Sequence, residues 1–137
     1  MNSKFVKQIE DMKEEELIER LKEGETYPLP PIKELPYLGE LKERITYEYS
    51  ELVALCPMTG ILDLYKVNIT FIPDKFIPEL KSLRHYFLAY KEVPILHEQL
   101  LARIYKDFKK AICPLSLQVR LEVNIRGGIK TVIEYSE

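Results

Sequence analysis

The chain has no apolar run near the roughly 20 residues needed to span a bilayer, and it has no excess of positive charge. Its 20 Lys and Arg stand against 22 Asp and Glu, a formal net charge of -2. That balance argues against a surface built for phosphate backbones, and so against direct nucleic-acid binding. The first 16 residues are charged and lack the apolar core and cleavage site of a secretory leader, which points to the cytoplasm. Cysteine is scarce: Cys56 and Cys113 are expected to stay reduced there rather than to pair. The two histidines, His85 and His97, fall in no CxxC, HxxxH or HExxH spacing, so no metal is expected. Neither a glycine-rich dinucleotide fingerprint nor a P-loop is present, and a nucleotide would need another kind of site.

What is present fits one globular domain: 137 residues, 46% of them hydrophobic. Residues 3–23 read as helical, with Phe5, Ile9 and Met12 on one face, Leu17, Ile18 and Leu21 on another, and Gly24 as the C-cap. Pro28, Pro30, Pro31 and Pro36 then exclude helix and sheet interior, so this stretch reads as an extended arm whose Leu29, Ile32 and Leu35 pack on something. Residues 1–43 thus form a helical and Pro-rich extension, and 44–137 the main domain.

In that domain Ile45, Tyr47 and Tyr49 alternate with polar residues, as do Tyr65, Val67, Ile69 and Phe71, which predicts an antiparallel strand pair. Pro78 is placed in the first turn of a helix through Phe87, with Leu80, Leu83 and Phe87 as its apolar stripe. A longer helix opens at His97-Glu98 and carries Leu100, Leu101, Ile104, Tyr105, Phe108 and Ile112 until Cys113-Pro114 stops it. Leu117, Val119, Leu121, Val123 and Ile125 alternate as a third strand, and a turn at Arg126-Gly127-Gly128 leads into a fourth. The order strand, strand, helix, helix, strand, strand predicts an α+β domain with two helices on one face of a four-stranded antiparallel sheet.

Chemistry concentrates in the loop from Cys56 to Asp63. A thiol and a carboxylate at the two ends of a Pro- and Gly-containing loop form a nucleophile and a proton donor. Against that reading, Cys56 would be a packed small hydrophobe and Asp63 a plain loop aspartate. Glu98, in the first turn of the long helix, either answers the helix dipole or takes a pair of N–H donors from a planar heterocycle. His97 caps that helix or touches a ligand. Glu79 is a second acidic residue in a first helical turn, and Arg126 beside Gly127 is either a hairpin turn or a phosphate grip.

Together these segments resemble the QueF family of NADPH-dependent 7-cyano-7-deazaguanine reductases, over about residues 45–129. The carrying motifs are Cys56-Pro57-Met58-Thr59-Gly60 with Asp63, the helix Glu79-Leu80-Lys81-Ser82-Leu83-Arg84-His85-Tyr86-Phe87, His97-Glu98, and Arg126-Gly127-Gly128-Ile129. The resemblance implies the tunnelling fold and homo-oligomeric rings, pentamers stacked into decamers, with active sites between subunits. It implies that Cys56 attacks the nitrile carbon to form a thioimide, that Asp63 protonates the nitrile nitrogen, and that NADPH is the reductant. Glu98, Glu79 and His97, with backbone near Pro78 and Leu80, would hold the 7-deazaguanine; Leu80, Lys81, Arg126 and Gly127 would contact NADPH.

The chain departs from the family pattern at Ile61-Leu62, where Gln-Pro is usual, and at Leu80, Arg84, His85 and Leu96. The nearest competing reading is a QueF-like amidinotransferase that adds ammonia to the same nitrile in tRNA. Glu79, Lys81 and Ser82 favour the reductase, because such relatives look stripped of the signature helix. Another tunnelling-fold enzyme acting on a pterin or purine is the third reading.

Overall fold

The computed structural model describes residues 11–137, so the expected helical face of Phe5 and Ile9 lies outside the described residues. The elements are α1 (Glu14–Leu21), α2 (Glu23–Thr26), β1 (Glu34–Pro36), β2 (Ile45–Leu55), β3 (Leu62–Ile72), β4 (Phe76–Pro78), α3 (Leu80–Leu88), α4 (His97–Ile112), β5 (Ser116–Arg126) and β6 (Ile129–Ser136). A 3-10 turn, Ala89–Glu92, continues α3.

Strands β2, β3, β5 and β6 form one antiparallel sheet in that order. The two central strands carry the alternation that sequence predicts: Val67, Ile69 and Phe71 on β3, and Leu117, Val119 and Leu121 on β5, are buried on one face. Against them α4 lays Leu100, Ile104, Phe108 and Ile112, all without exposed surface. Each such side chain contributes about 1.5–3 kcal/mol on burial, and together they fix which sheet face the helices cover. The result is the ββααββ order expected of the tunnelling fold.

Several boundaries differ from the sequence reading. The expected helix over 3–23 begins, among the described residues, only at Glu14, and a second short helix follows its end at Leu21. Gly24 is therefore not a C-cap but a helical residue buried against the main domain; a Cβ there would meet the Pro94 carbonyl oxygen at 2.3 Å. Pro78 is not in a helical turn. It ends β4, which pairs with β1 of the arm, and Glu79 is the N-cap of α3 rather than a first-turn residue. Leu80 is 58% exposed, so the buried stripe of α3 is Leu83, Tyr86 and Phe87. Ile125 is likewise exposed, because it follows the last β3–β5 pair, Tyr65 with Val123.

The arm packs on its own chain. Tyr27, Leu29 and Ile32 rest against the core, and the Lys33 N–H donates to Ser82 Oγ at 2.9 Å. Arg103 of α4 donates to the carbonyl oxygens of Gly24 and Tyr27, while Gln99 donates to that of Leu21.

Candidate active site

Cys56 stands just past the end of β2, in a tight loop closed by two backbone bonds. Its N–H donates to the Ile61 carbonyl at 2.9 Å, and its own carbonyl accepts from the Gly60 N–H at 2.8 Å. Gly60 takes a φ of 70°, a conformation glycine adopts at little cost, which lets the loop turn this sharply. The thiol is half-buried, and neither it nor the exposed Cys113 is in a disulfide.

Asp63 is not a loop residue. The strands run further toward Cys56 than their alternation indicates, and Asp63 is the second residue of β3, paired across to Ala54 and only 4% exposed. A bulge between Tyr49 and Leu52 adds one residue to β2, so the inward positions change from Tyr47 and Tyr49 to Leu52 and Ala54. A second bulge, between Val123 and Arg126, lies near the end of β5. There the Arg126 guanidinium meets Asp63 Oδ1 at 2.9 Å and donates to the Leu62 carbonyl at 2.6 Å. The buried carboxylate thus has a cationic partner, and its Oδ2 has no hydrogen-bond partner among the described residues.

The start of α4 reaches the same end of the sheet through backbone pairing. The Leu55 N–H donates to the Val93 carbonyl, and the Ile95 N–H donates to that of Leu55. This short parallel bridge, next to Cys56, fixes the chain two residues before His97. Gln99 locks the helix start: its Oε1 accepts the Leu96 N–H at 3.1 Å. Glu98 is exposed and forms no hydrogen bond or ion pair among the described residues, so its oxygens are available. It sits at the rim of a groove of about 560 Å³ between α4 and β6, lined by Leu101, Tyr105, Ile133 and Tyr135 among others.

Tyr65 joins these groups, and sequence reasoning counted it only as core. It is 2% exposed, its hydroxyl lies 2.7 Å from His97 Nδ1, and the rings meet edge to face. Burial first, then the negative charge of Asp63, Cys56 and Glu98, pushes its hydroxyl far above the usual tyrosine range. The signal available in the sequence was a polar-tipped aromatic on the same strand face as Asp63, two residues on.

The remaining expected site residues lie elsewhere. Pro78, Glu79, Leu80 and Lys81 stand at the start of α3, where Leu80 borders a cleft with Tyr47 and Tyr49 of β2. From Tyr49 and Tyr47 to Cys56 is seven and nine residues, on the order of 20–30 Å at ~3.3 Å per residue of strand. The Glu79 carboxylate is occupied by its own helix, accepting from the N–H groups of Lys81 at 2.6 Å and Ser82 at 3.1 Å. Lys81 is exposed with no partner for its amine among the described residues, as a phosphate contact requires, whereas Arg126 is engaged by Asp63. Gly127 and Gly128, both at positive φ, form the open β5–β6 turn beside it. No cluster of three or more potential metal ligands occurs among the described residues, and no described helix is long and apolar enough to cross a membrane.

With this geometry in place, similarity to known proteins gives it a context. A family model described as QueF-like protein matches residues 63–137, which takes in every site residue named above except those of the Cys56 loop. A Thermotoga petrophila protein named NADPH-dependent 7-cyano-7-deazaguanine reductase is 41% identical over 93 residues, 67% of this chain and 68% of that one. A Thermomicrobium roseum protein of the same name is 34% identical over 110 residues, covering 77% and 86%. The crystal structure of the archaeosine synthase QueF-Like in the apo form matches with a TM-score of 0.66 at 17% identity, over 72% of this chain and 95% of that one. This last is a likeness of fold.

Proposed function

The chain belongs to the QueF-like protein family, and from that premise we propose that it is an NADPH-dependent oxidoreductase that reduces the nitrile of 7-cyano-7-deazaguanine to the aminomethyl group. The observation that carries this reading is the convergence of Cys56, Asp63, His97 and Glu98 at one end of the sheet, in a chain whose curated relatives are named for that reaction.

The Cys56 thiolate attacks the nitrile carbon, forming the C–S bond as one C–N π bond breaks. The electron pair goes to nitrogen, which takes the proton that the Cys56 thiol gave up to the Asp63 carboxylate, and the product is a thioimide. Asp63 Oδ2 is the oxygen placed for this, since Oδ1 is held by Arg126. Two NADPH molecules, bound in turn, would each supply one of the two hydrides that the four-electron reduction requires. Between them the C–S bond breaks and the thiolate is released. Keeping the carbon attached to Cys56 through the first stage shields a hydrolysable species from water. Glu98 accepts from N–H donors of the base, and His97 contacts its edge.

Contacts from Glu79, Leu80 and Lys81 to substrate and cofactor are read as coming from a second copy, because the cleft that Leu80 borders lies on the order of 20–30 Å along β2 from Cys56. We therefore read the enzyme as a homo-oligomer with sites between subunits. Lys81 fits a cofactor phosphate; Arg126 serves Asp63, and Gly127 offers backbone at the turn.

The test is purified protein with 7-cyano-7-deazaguanine and NADPH, followed at the cofactor's absorbance band. Substrate-dependent oxidation is expected. The engagement of Arg126 by Asp63 favours one second reading, in which ammonia rather than hydride meets the thioimide. A thioimide band that decays with ammonia and leaves NADPH untouched would establish that one instead.

A further inference from the structure

We propose that Tyr65 is a positioning residue that holds His97 in its Nε2–H tautomer, making the imidazole a hydrogen-bond donor to an acceptor atom of the bound base. The role in substrate binding rests on the function proposed above; the tautomer assignment does not.

The argument is one of proton placement. Tyr65 Oη and His97 Nδ1 are 2.7 Å apart and share a single proton, which lies on one or the other. If His97 Nδ1 donated, the Tyr65 hydroxyl proton would need a second acceptor. Tyr65 is 2% exposed, and its hydroxyl has no other partner among the described residues. Its proton would then be buried and unmet, with the full desolvation of that group as the penalty. If Tyr65 donates, every group is satisfied. The hydroxyl proton goes to Nδ1, and the remaining ring proton sits on Nε2 of a half-buried residue.

Nε2 has no hydrogen-bond partner among the described residues, and it is not one of the buried unsatisfied atoms, which are Tyr49 Oη and Asn68 Oδ1. It is therefore open to solvent and available to a ligand. The neighbouring charges act in the same direction. Asp63, Cys56 and Glu98 all oppose ionisation of Tyr65, and Arg126, which favours it, is held by Asp63. Tyr65 thus keeps its proton to donate.

The consequence is a division of labour on neighbouring residues. Glu98 takes N–H donors, and His97 offers one. A planar base that presents a donor and an acceptor along one edge, as a lactam does, meets both. The N–H of a neutral imidazole is a very weak acid, so His97 fixed in this way donates a hydrogen bond without giving up its proton, and proton delivery to the nitrile nitrogen stays with Asp63.

Imidazole nitrogen-15 correlation spectra of the intact protein test this in buffer well above the ordinary histidine pKa of about 6.5. Only His85 and His97 contribute signals, and His85→Gln, a change at an exposed position, assigns them. His97 is expected as the neutral Nε2–H form. In Tyr65→Phe, which keeps the ring and removes the hydroxyl, the Nδ1–H fraction is expected to rise about fivefold or more, the bias that one unmet buried hydrogen bond imposes. Substrate KM should rise about tenfold with kcat changed less than about twofold, as for loss of uniform binding. An Nδ1–H or doubly protonated His97 in the native protein overturns the assignment without any variant. So does a Tyr65→Phe spectrum identical to the native one. Correct tautomers with no nitrile reduction would instead count against the proposed function alone.

Discussion

Arg126 Nη2 lies 2.9 Å from Asp63 Oδ1, so a guanidinium at the end of β5 closes over a carboxylate at the start of β3 that is 4% exposed. Removing the cation leaves a buried charge unpaired. Loss of one partner from a fully buried pair costs roughly 3–5 kcal/mol, but Arg126 is itself 40% exposed and water softens the loss. Arg126→Gln is expected to lower stability by about 1–2 kcal/mol, read from the urea midpoint at unchanged slope. In an Asp63→Asn background the same change should cost much less. Equal costs in the two backgrounds would show that the pair does not couple.

Cys56→Ala removes the nucleophile and little else. The loop's two closing hydrogen bonds are backbone bonds and survive the change. Turnover is expected to fall by at least about 10³-fold, with the urea midpoint held and the thioimide absorbance absent. Residual turnover within about tenfold of the native enzyme would remove Cys56 from the mechanism.

Much of this site could be read from the chain, and what could not has identifiable causes. Cys56, His97 and Glu98 lie where their motifs place them, because loop glycine and helix-start chemistry are local. The environment of Asp63 was hidden by a one-residue bulge after Tyr49. Alternation breaks there on β2, and on β3 a charged Asp63 points inward between the exposed Leu62 and Leu64, so both strands look shorter than they are and a strand residue is taken for a loop residue. Arg126 reads as a free cation because its partner is 63 positions away and on a different strand. Glu79 illustrates the opposite case. Its role as the α3 N-cap follows from its position before Leu80, yet nothing local separates a capping carboxylate from a ligand-binding one.

Gly24 shows how the N-terminal segment touches the site from behind. Its absent side chain admits the Pro94 carbonyl, and Pro94 and Ile95 belong to the bridge that holds Leu55 beside Cys56. Gly24→Ala forces a backbone atom to move, and overpacking of this kind costs about 1–3 kcal/mol. A lower melting temperature is expected, together with a fall in kcat. Gly39→Ala is the comparison, since its close neighbour is the Tyr37 ring and not the site. If both variants lose kcat equally, the contact at Gly24 has no special link to catalysis.

Of the buried tyrosines, the three whose hydroxyls are pushed up furthest set the alkaline limit of the fold. Burial, in each case the largest cause, raises Tyr65, Tyr86 and Tyr90 above the ordinary value near 10. The Tyr86 hydroxyl adds hydrogen bonds to Tyr90 and Asp107 at 2.7 and 2.6 Å. A raised folded-state pKa means that the folded chain keeps protons the unfolded chain gives up above pH ~10. Their contribution is therefore complete below that pH and is lost as pH climbs toward the folded values. The loss is at most about 1.4 kcal/mol per group per pH unit, so at most about 4 kcal/mol per unit for the three. Tyrosinate absorbance should rise in two phases, an early one from the accessible members of the chain's nine tyrosines and a late one coincident with loss of far-ultraviolet circular dichroism. Tyr86→Phe should leave the early phase intact and shrink the late one by about a third, given equal absorbance for each of the three rings. A single smooth titration of all nine, complete before the structure melts, would mean that these hydroxyls are not held by the fold.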